Sequence, residues 1–453
     1  MSAQTDSAMG ADAIAGDDLT HTTIVRQKPL MDMRQILLMN FGFFGIQYSF
    51  GMQQTAINPI FQFIGANAHD LPLLNMAGPV TGLLIQPIIG AMSDRTWSPR
   101  WGRRKPFFLV GAIGCSVCLF LFPFVSALWM AVLLLWLLDA SNNTAMEPYR
   151  AFIADKLPPS QLGKGFLAQS FFTGLGITLA NLSLFVFQKL IQGSTDAGIP
   201  YWVVGSFMLG AVCSIGSVLI SVLRTPEIPP SPEELEAIRN QKGGFGPAIA
   251  EIGEAIRDMP VELRKLALVY FFQWYGLVIY WQFIALTIAQ NMFPQTDQGK
   301  EEAVAWTGLV NGWYNIVTFC VAFGLVAFAR KRGAKLVHCA CLLLAAVGLA
   351  IVPFLTNQYL IFIPMVGFGI AWASIMGVPY IMAVRMVPST RLGVYMGIIN
   401  MMIVIPMLIQ MLTLPLLYDS LLGGRPENVI RLAGVLLACA ALAVCFVKSE
   451  KSS

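Results

Sequence analysis

The chain has 453 residues, of which 56% are hydrophobic and 12% charged. An ordinary soluble domain carries about 25% charged residues, so this composition excludes one and points to an all-α polytopic membrane protein in a lipid bilayer. The net charge of +4 arises from clustered loop residues, so it reports topology and implies no nucleic-acid partner.

Residues 1–33 are polar and read as a cytoplasmic tail, with no cleavable signal expected before the first span. Twelve apolar stretches of spanning length follow. They lie near 36–62, 72–94, 105–126, 128–153, 164–190, 200–223, 264–289, 303–328, 335–355, 359–384, 391–418 and 428–447. The expected organisation is a six-helix bundle over 34–223, a cytoplasmic linker over 224–262, a second six-helix bundle over 263–447, and a tail over 448–453. Spans four and ten are the richest in Pro, Gly and Asn and are expected to bend.

The first span places Asn40, Gln47, Gln54 and Asn58 within about 40° of one another at helical period. After the second span comes Gly90-x-x-x-Asp94-Arg95, then Gly102-Arg103-Arg104. Gly90 permits close helix approach, while Asp94 is suited to accept hydrogen bonds from a helix N-terminus or an Arg. The expected result is a conformational latch formed by Gly90, Asp94, Arg95, Arg103 and Arg104. These arginines and Lys105, with Arg330, Lys331, Arg332 and Lys335 after span eight, place both termini in the cytoplasm by the positive-inside rule.

Span four carries Asp139, Asn143, Glu147 and Arg150. Relative to Asp139, Asn143 lies about 40° round the helix, Glu147 about 80° and Arg150 about 20°. The four share a face, with Asp139 and Arg150 about 16 Å apart along the axis, too far for a direct ion pair. Ionisable groups at membrane depth are costly and face a cavity or a partner. A titratable acid and a permanent cation, separated on one face, suggest a binding path with a proton site at one end.

In the linker, Ser231-Pro232-Glu233-Glu234 has the form of a helix start. Ile249, Ile252, Ile256 and Met259 lie opposite Glu251, Glu254 and Asp258, which reads as an amphipathic helix on the membrane surface. Beyond it, span seven offers Gln273, Trp274, Tyr275, Tyr280, Trp281 and Gln282, and span eight Asn311, Trp313, Tyr314 and Asn315. Trp372 and Asn400 join them from spans ten and eleven. Amides beside aromatics suit a sugar, which presents hydroxyls in its plane and C–H groups on its faces. Amides also bind helices to one another. The second half echoes the first: Met146-Glu-Pro-Tyr149 with Pro159-Ser-Gln-Leu-Gly163, against Met376-Gly-Val-Pro-Tyr380 with Pro388-Ser-Thr-Arg-Leu-Gly393. Parallel repetition of six spans is one known way to build a transporter. The eight cysteines fall inside the spans, and Cys115-Ser-Val-Cys118, with no His or acid nearby, reads as buried small residues without metal.

Asp139-x-x-Asn142-Asn143-x-x-x-x-Pro148-x-Arg150 resembles span four of the sucrose–proton symporters within the major facilitator superfamily. Gly45-Ile-Gln47 with Gln53, Gly78-Pro79-Val80-x-Gly82 with Gln86-Pro87, Gly369-Ile370 with Pro379-Tyr380, and Gly393-x-x-x-Gly397-x-x-Asn400 are similar to its other spans. The resemblance implies that fold, and proton-coupled uptake of a disaccharide or α-glucoside, with sucrose or maltose foremost. It implies Asp139 as the proton-coupling acid and Arg150 as a sugar-transport residue. The expected binding set is Arg150, Asn142, Asn143, Gln47, Gln53, Gln54, Glu147, Gln282, Trp281, Asn315, Trp372 and Asn400. Three departures stand out. Glu147 replaces a small residue of plant members, Gln282 stands where an acid is frequent, and His69 is one position out of register with their loop histidine. The short loops and Glu147 lean towards a bacterial inner-membrane member.

Burial disfavours the charged form of a carboxyl, so Asp139 is placed to exchange a proton between two aqueous sides. The proton gradient then supplies the energy, and neither cofactor nor metal is called for. A monomer is expected, and no enzyme: His21, His69 and His338 form no catalytic motif. The alternatives are a sodium-coupled glycoside symporter, a sugar uniporter or exporter, and a membrane sugar receptor.

Overall fold

A computed structural model describes residues 28–196, 198–233, 235–236, 253–384, 386 and 392–448. The first apolar stretch divides in two, α1 (Met33–Asn40) and α2 (Gly42–Phe63). Asp32 starts α1 through a reciprocal cap: its Oδ1 accepts from the Gln35 amide at 2.7 Å, and Gln35 Oε1 accepts from the Asp32 amide at 2.9 Å. A short α3 (Leu71–Leu74) precedes α4 (Ala77–Arg95), then come α5 (Lys105–Leu121), α6 (Leu128–Lys156), α7 (Pro159–Leu190) and α8 (Tyr201–Arg224). The second half comprises α9 (Val261–Met292), α10 (Asp297–Arg332), α11 (Ala334–Ile351), α12 (Phe362–Val384), α13 (Leu392–Tyr418) and α14 (Pro426–Phe446). Apart from α1 and α3, these are the twelve spanning helices, six in each half. The two expected bends do not interrupt helix: α6 runs through Pro148 and α12 through Pro379.

Helix α5 shows how the sequence sorts its faces. Phe108, Ala112, Cys115 and Leu119 are buried, whereas Val110, Ile113, Val117 and Leu121 are exposed on the other side. Each set recurs every three or four residues, so one stripe meets neighbouring helices and the other meets lipid. Lipid is as apolar as a core, so close packing and polar contacts hold such helices together. The apolar core follows the two bundles. One cluster collects buried residues from Ala255 to Val447, and two others collect those of the first half, one of them joined by Val304 and Ala305.

Nine helices are long and apolar enough to cross a membrane by length and composition alone, among the described residues. The three long helices that miss this standard are α2, α6 and α10. They carry the glutamines of the first span, the Asp139–Arg150 face, and the asparagines of the eighth. Their polar residues make them poor lipid-facing spans and fit them for the interior.

One end of the molecule, the terminal face, carries the α4–α5 link and the end of α8. There Glu227 accepts the backbone N–H groups of Arg103, Arg104 and Lys105 at 2.8, 2.9 and 2.9 Å. It thereby satisfies the open N-terminus of α5, where amides lack partners within the helix. Gly102 makes this possible: its φ is +79°, and a Cβ would lie 2.5 Å from the Glu227 carboxylate. Of the predicted surface helix in the linker, residues 237–252 lie outside the described residues, Ala255 is buried, and Ile256 is exposed.

A candidate transport cavity between the bundles

The contacts that tie the two bundles together gather in the half of the molecule away from the terminal face. Asn311 Nδ2 of α10 donates to Thr55 Oγ1 of α2 at 2.9 Å, and Thr55 in turn donates to Asn181 Oδ1 of α7. Tyr280 OH donates to Asn311 Oδ1 at 3.0 Å. Thr55, Asn181 and Asn311 are all buried. Gly308 lies so close to α7 that a Cβ would stand 2.6 Å from the Asn181 carbonyl oxygen. Nearer mid-helix, and just on the terminal-face side of it, Phe171 and Phe319 meet edge to face with centroids 5.7 Å apart. At the far surface, Trp202 Nε1 approaches Glu301 Oε2 at 3.4 Å, and His69 Nε2 lies 3.9 Å from Asp419 Oδ2.

Asp139 sits on α6 on the side turned away from the exposed Leu133 and Leu137, and only 4% of its surface is exposed. Its carboxyl faces Gln53 of α2, and a Cβ on Gly78 of α4 would lie 3.7 Å from Oδ2. Nearer the terminal face, Arg150 Nη1 and Glu147 Oε2 are 3.7 Å apart, with side chains 47% and 38% exposed. Arg150 Nη2 also approaches Met146 Sδ at 3.7 Å, and Gly90 sits opposite Glu147. One helix thus carries a buried acid and, about three turns away, an accessible guanidinium.

The remaining candidates divide by what already occupies them. Asn142 is spent on packing, donating to Ser49 Oγ at 2.9 Å and accepting from the Cys115 thiol. Asn143 donates to Thr81 Oγ1 and to the Asp139 carbonyl, and accepts from Gln86 at 2.7 Å. These bonds fix the α6 backbone at Asp139 against α4. Gln47 is buried with its amide near Met146 Sδ, and Gln54 is half-buried. In the second bundle Gln282 accepts from Gln410 at 3.0 Å, while Gln282 Nε2 and Gln410 Oε1 stay unpaired. Trp281 donates to Tyr314 OH at 3.2 Å and meets Trp372 at 5.3 Å between centroids, with Trp274 6.0 Å from Trp372. Asn315 donates to the Asn311 carbonyl, and Asn400 is half-buried on α13.

In the expected latch, Arg104 is buried, donating to Asp155 Oδ2 at 2.8 Å and Ser93 Oγ at 2.6 Å. Arg103 Nε donates to the Ser93 carbonyl at 3.3 Å. The side chains of Asp94 and Arg95 lie outside the described residues. Sequence reasoning missed Asp155, Glu227, Gln410, Thr55 and Asn181. A lone glutamine in the apolar run of span eleven was a readable signal for Gln410. Glu227 lies more than a hundred residues from the loop it caps, so nothing local announces it.

Two six-helix bundles whose polar residues gather where the bundles face one another define a multi-pass membrane transporter. The chain belongs to the Major Facilitator Superfamily, whose family model matches residues 39–411. It is 23% identical to sucrose transport protein SUT5 of rice, Oryza sativa subsp. indica, over 82% of this chain and 79% of that one. It is 24% identical to sucrose transport protein SUC4 of Arabidopsis thaliana, over 84% and 83%. Among solved structures it resembles the nucleoside transporter NupG, with a TM-score of 0.67 at 13% identity over 92% and 100% of the two chains. It also resembles a D-xylose-proton symporter, with a TM-score of 0.64 at 16% identity over 92% and 97%. At such identities these structures speak for the fold.

Proposed function

We propose that the chain is a sugar transporter that takes up a disaccharide or α-glucoside, sucrose or maltose, together with a proton by alternating access. The observation that carries this reading is the buried Asp139 carboxyl, set against Gln53 on the same helix as the accessible Arg150. The positive residues of the loops support a cytoplasmic terminal face. Since the inter-bundle contacts gather at the other end, the described state is then inward-facing, with Arg150 and Glu147 turned to the cytoplasmic opening. The sucrose transport proteins among its relatives support the substrate class.

In this cycle the outward-facing cavity brings Asp139 into contact with the outer solution, where it takes a proton. Protonated, it donates a hydrogen bond in place of carrying an unpaired charge, so a sugar hydroxyl and the proton are bound together. Arg150 stays charged and offers its planar donors to further hydroxyls. The loaded carrier reorients, sugar leaves, and Asp139 loses its proton inward. One proton crossing about 100 mV supplies about 2.3 kcal/mol, enough for roughly fiftyfold accumulation at about 1.4 kcal/mol per tenfold.

The test is uptake of labelled sucrose and maltose into proteoliposomes with an imposed proton gradient. Wild type should concentrate the sugar and alkalinise the outer medium. Asp139→Asn should retain exchange of sugar and lose accumulation, its internal-to-external ratio falling to about one. Concentrative uptake by that variant would remove Asp139 from the coupling step.

A further inference from the structure

A cavity of about 640 Å³ opens at the far surface between the two bundles. Its walls include Gln62 and Phe63 at the end of α2, Leu286 and Gln290 at the end of α9, Gln295 in the loop that follows, and Glu301 in the first turns of α10. It is separate from the Asp139–Arg150 region. Thr55 lies about 6 Å below Pro59 along α2, and Asn311 about 15 Å below Glu301 along α10, so the Thr55–Asn181–Asn311 layer forms a floor beneath it. The volume falls within the range of small-molecule pockets.

The lining chemistry selects a neutral, hydroxyl-rich ligand. Gln62 and Gln290 bring both donors and acceptors, and Gln295, whose Nε2 already donates to the Ala289, Gln290 and Phe293 carbonyls, adds an acceptor, while Phe63, Leu286 and Val304 supply apolar wall. The charges largely cancel: Lys300 Nζ lies 3.3 Å from Asp297 Oδ1. Glu301 is held towards Trp202 and adds an acceptor. An anion would meet that carboxylate without a compensating cation.

We propose that this vestibule is a reception site for a neutral disaccharide, holding it at the far surface while the central cavity is open at the other end. The inference rests on the sugar-transport reading above. Occupancy here raises the local concentration of sugar at the mouth that the next outward opening exposes. It is a second binding event, independent of Arg150.

The test is saturation-transfer NMR from the full-length protein in nanodiscs to sucrose and to maltose. Arg150→Ala should keep a substantial part of the wild-type signal, and adding Gln62→Ala and Glu301→Gln should lower the remainder at least fivefold. Gln290→Leu, an exposed side chain, tests the same wall without touching the Trp202–Glu301 contact, and should lower it at least twofold. Loss of all transfer in Arg150→Ala alone, or no further loss on changing the vestibule, would overturn the second site and leave the transport reading standing. An absence of transfer from wild type to either sugar would overturn both.

Discussion

Asn311 Nδ2 reaches across the bundle interface to Thr55 Oγ1 at 2.9 Å, and the Thr55 hydroxyl in turn donates a hydrogen bond to Asn181 Oδ1. A hydroxyl between two amides, all three buried, adds hydrogen bonds to the apolar contacts that close the far half. Such bonds can be broken and remade in water as bundles part.

Thr55→Val keeps the shape of this side chain but leaves the Asn311 amide and the Asn181 carbonyl without their partner. An unsatisfied buried polar group costs about 1–3 kcal/mol, which shifts a two-state equilibrium by roughly five- to a hundredfold. The variant should favour the state open at the far end. A cysteine placed at Ala66, labelled with an impermeant maleimide, should react correspondingly faster; an unchanged rate would deny this bond a role in closure.

Gly308 makes a sharper demand on the same closure. Its Cβ would meet the Asn181 backbone oxygen at 2.6 Å, whereas one on neighbouring Gly312 would meet the tip of the Leu182 side chain at 3.0 Å. Backbone cannot yield as a leucine rotamer can. Gly308→Ala should therefore cut transport by tenfold or more, and Gly312→Ala by less than threefold. Equal losses, measured as initial uptake rates, would show that the α7–α10 spacing is not limiting.

How far these features were legible in the sequence depended on their range. Asp139 and Arg150 could be placed on one face because helical phase is local, and the amides of the first and eighth spans stood out against apolar surroundings. The Thr55–Asn181–Asn311 layer was hidden because it joins three spans whose relative depth no periodicity supplies. The division of the first span at Phe41 was equally hidden: Asn40-Phe41-Gly42 lacks a proline, and the capping pair Asp32–Gln35 marks only the start of α1. Asn142, adjacent to Asn143 in sequence, is turned about 100° round the helix and packs against Ser49 and Cys115, whereas Asn143 faces α4.

Glu227 draws on a second kind of long-range relation, with one carboxylate accepting three N–H groups at the start of α5. Hydrogen bonds to a charged acceptor contribute about 1.5–3 kcal/mol when lost. Glu227→Ala should lower the melting temperature of the purified protein by about 3–10 °C, if the first bundle unfolds as one unit. Lys105→Ala, which keeps the backbone amide, should change it by under 2 °C by the same reckoning. Equal shifts would mean that side-chain charge, not the amide cap, matters there.

His69 bridges the far surface between Asp70, at 3.0 Å on its own loop, and Asp419 of the other bundle, at 3.9 Å. The contact with Asp419 is an ion pair only while the imidazole is protonated, so it favours far-end closure at acid pH and fades as pH rises through the histidine titration. An exposed pair contributes about 0–1 kcal/mol, at most about fivefold in population. Labelling of the Ala66 cysteine should accelerate by that modest factor between pH 5 and 8, and His69→Gln should flatten the dependence. A slope that persists in His69→Gln would assign it to another group.

Arg150 and Glu147 pose the question of whether this accessible cation is neutralised within the protein or kept for a ligand. At 3.7 Å, through one nitrogen and with both side chains substantially exposed, the pair lacks the two short parallel bonds of a tight guanidinium–carboxylate fork. Solvent screens such a contact, so Glu147 contributes little to holding Arg150 in place. Glu147→Gln should accordingly leave sugar uptake within about threefold of wild type. Arg150→Lys retains the charge and about the length but loses the planar donor set that meets two acceptors at once. With each hydrogen bond to a charged group contributing about 1.5–3 kcal/mol, losing one should raise the half-saturating sugar concentration tenfold or more. Proton movement without sugar should be unchanged in Arg150→Lys, because Asp139 lies about 16 Å away along the helix. The reverse pattern, with Glu147→Gln inactive and Arg150→Lys near normal, would make the carboxylate the sugar-binding group and the arginine its electrostatic support.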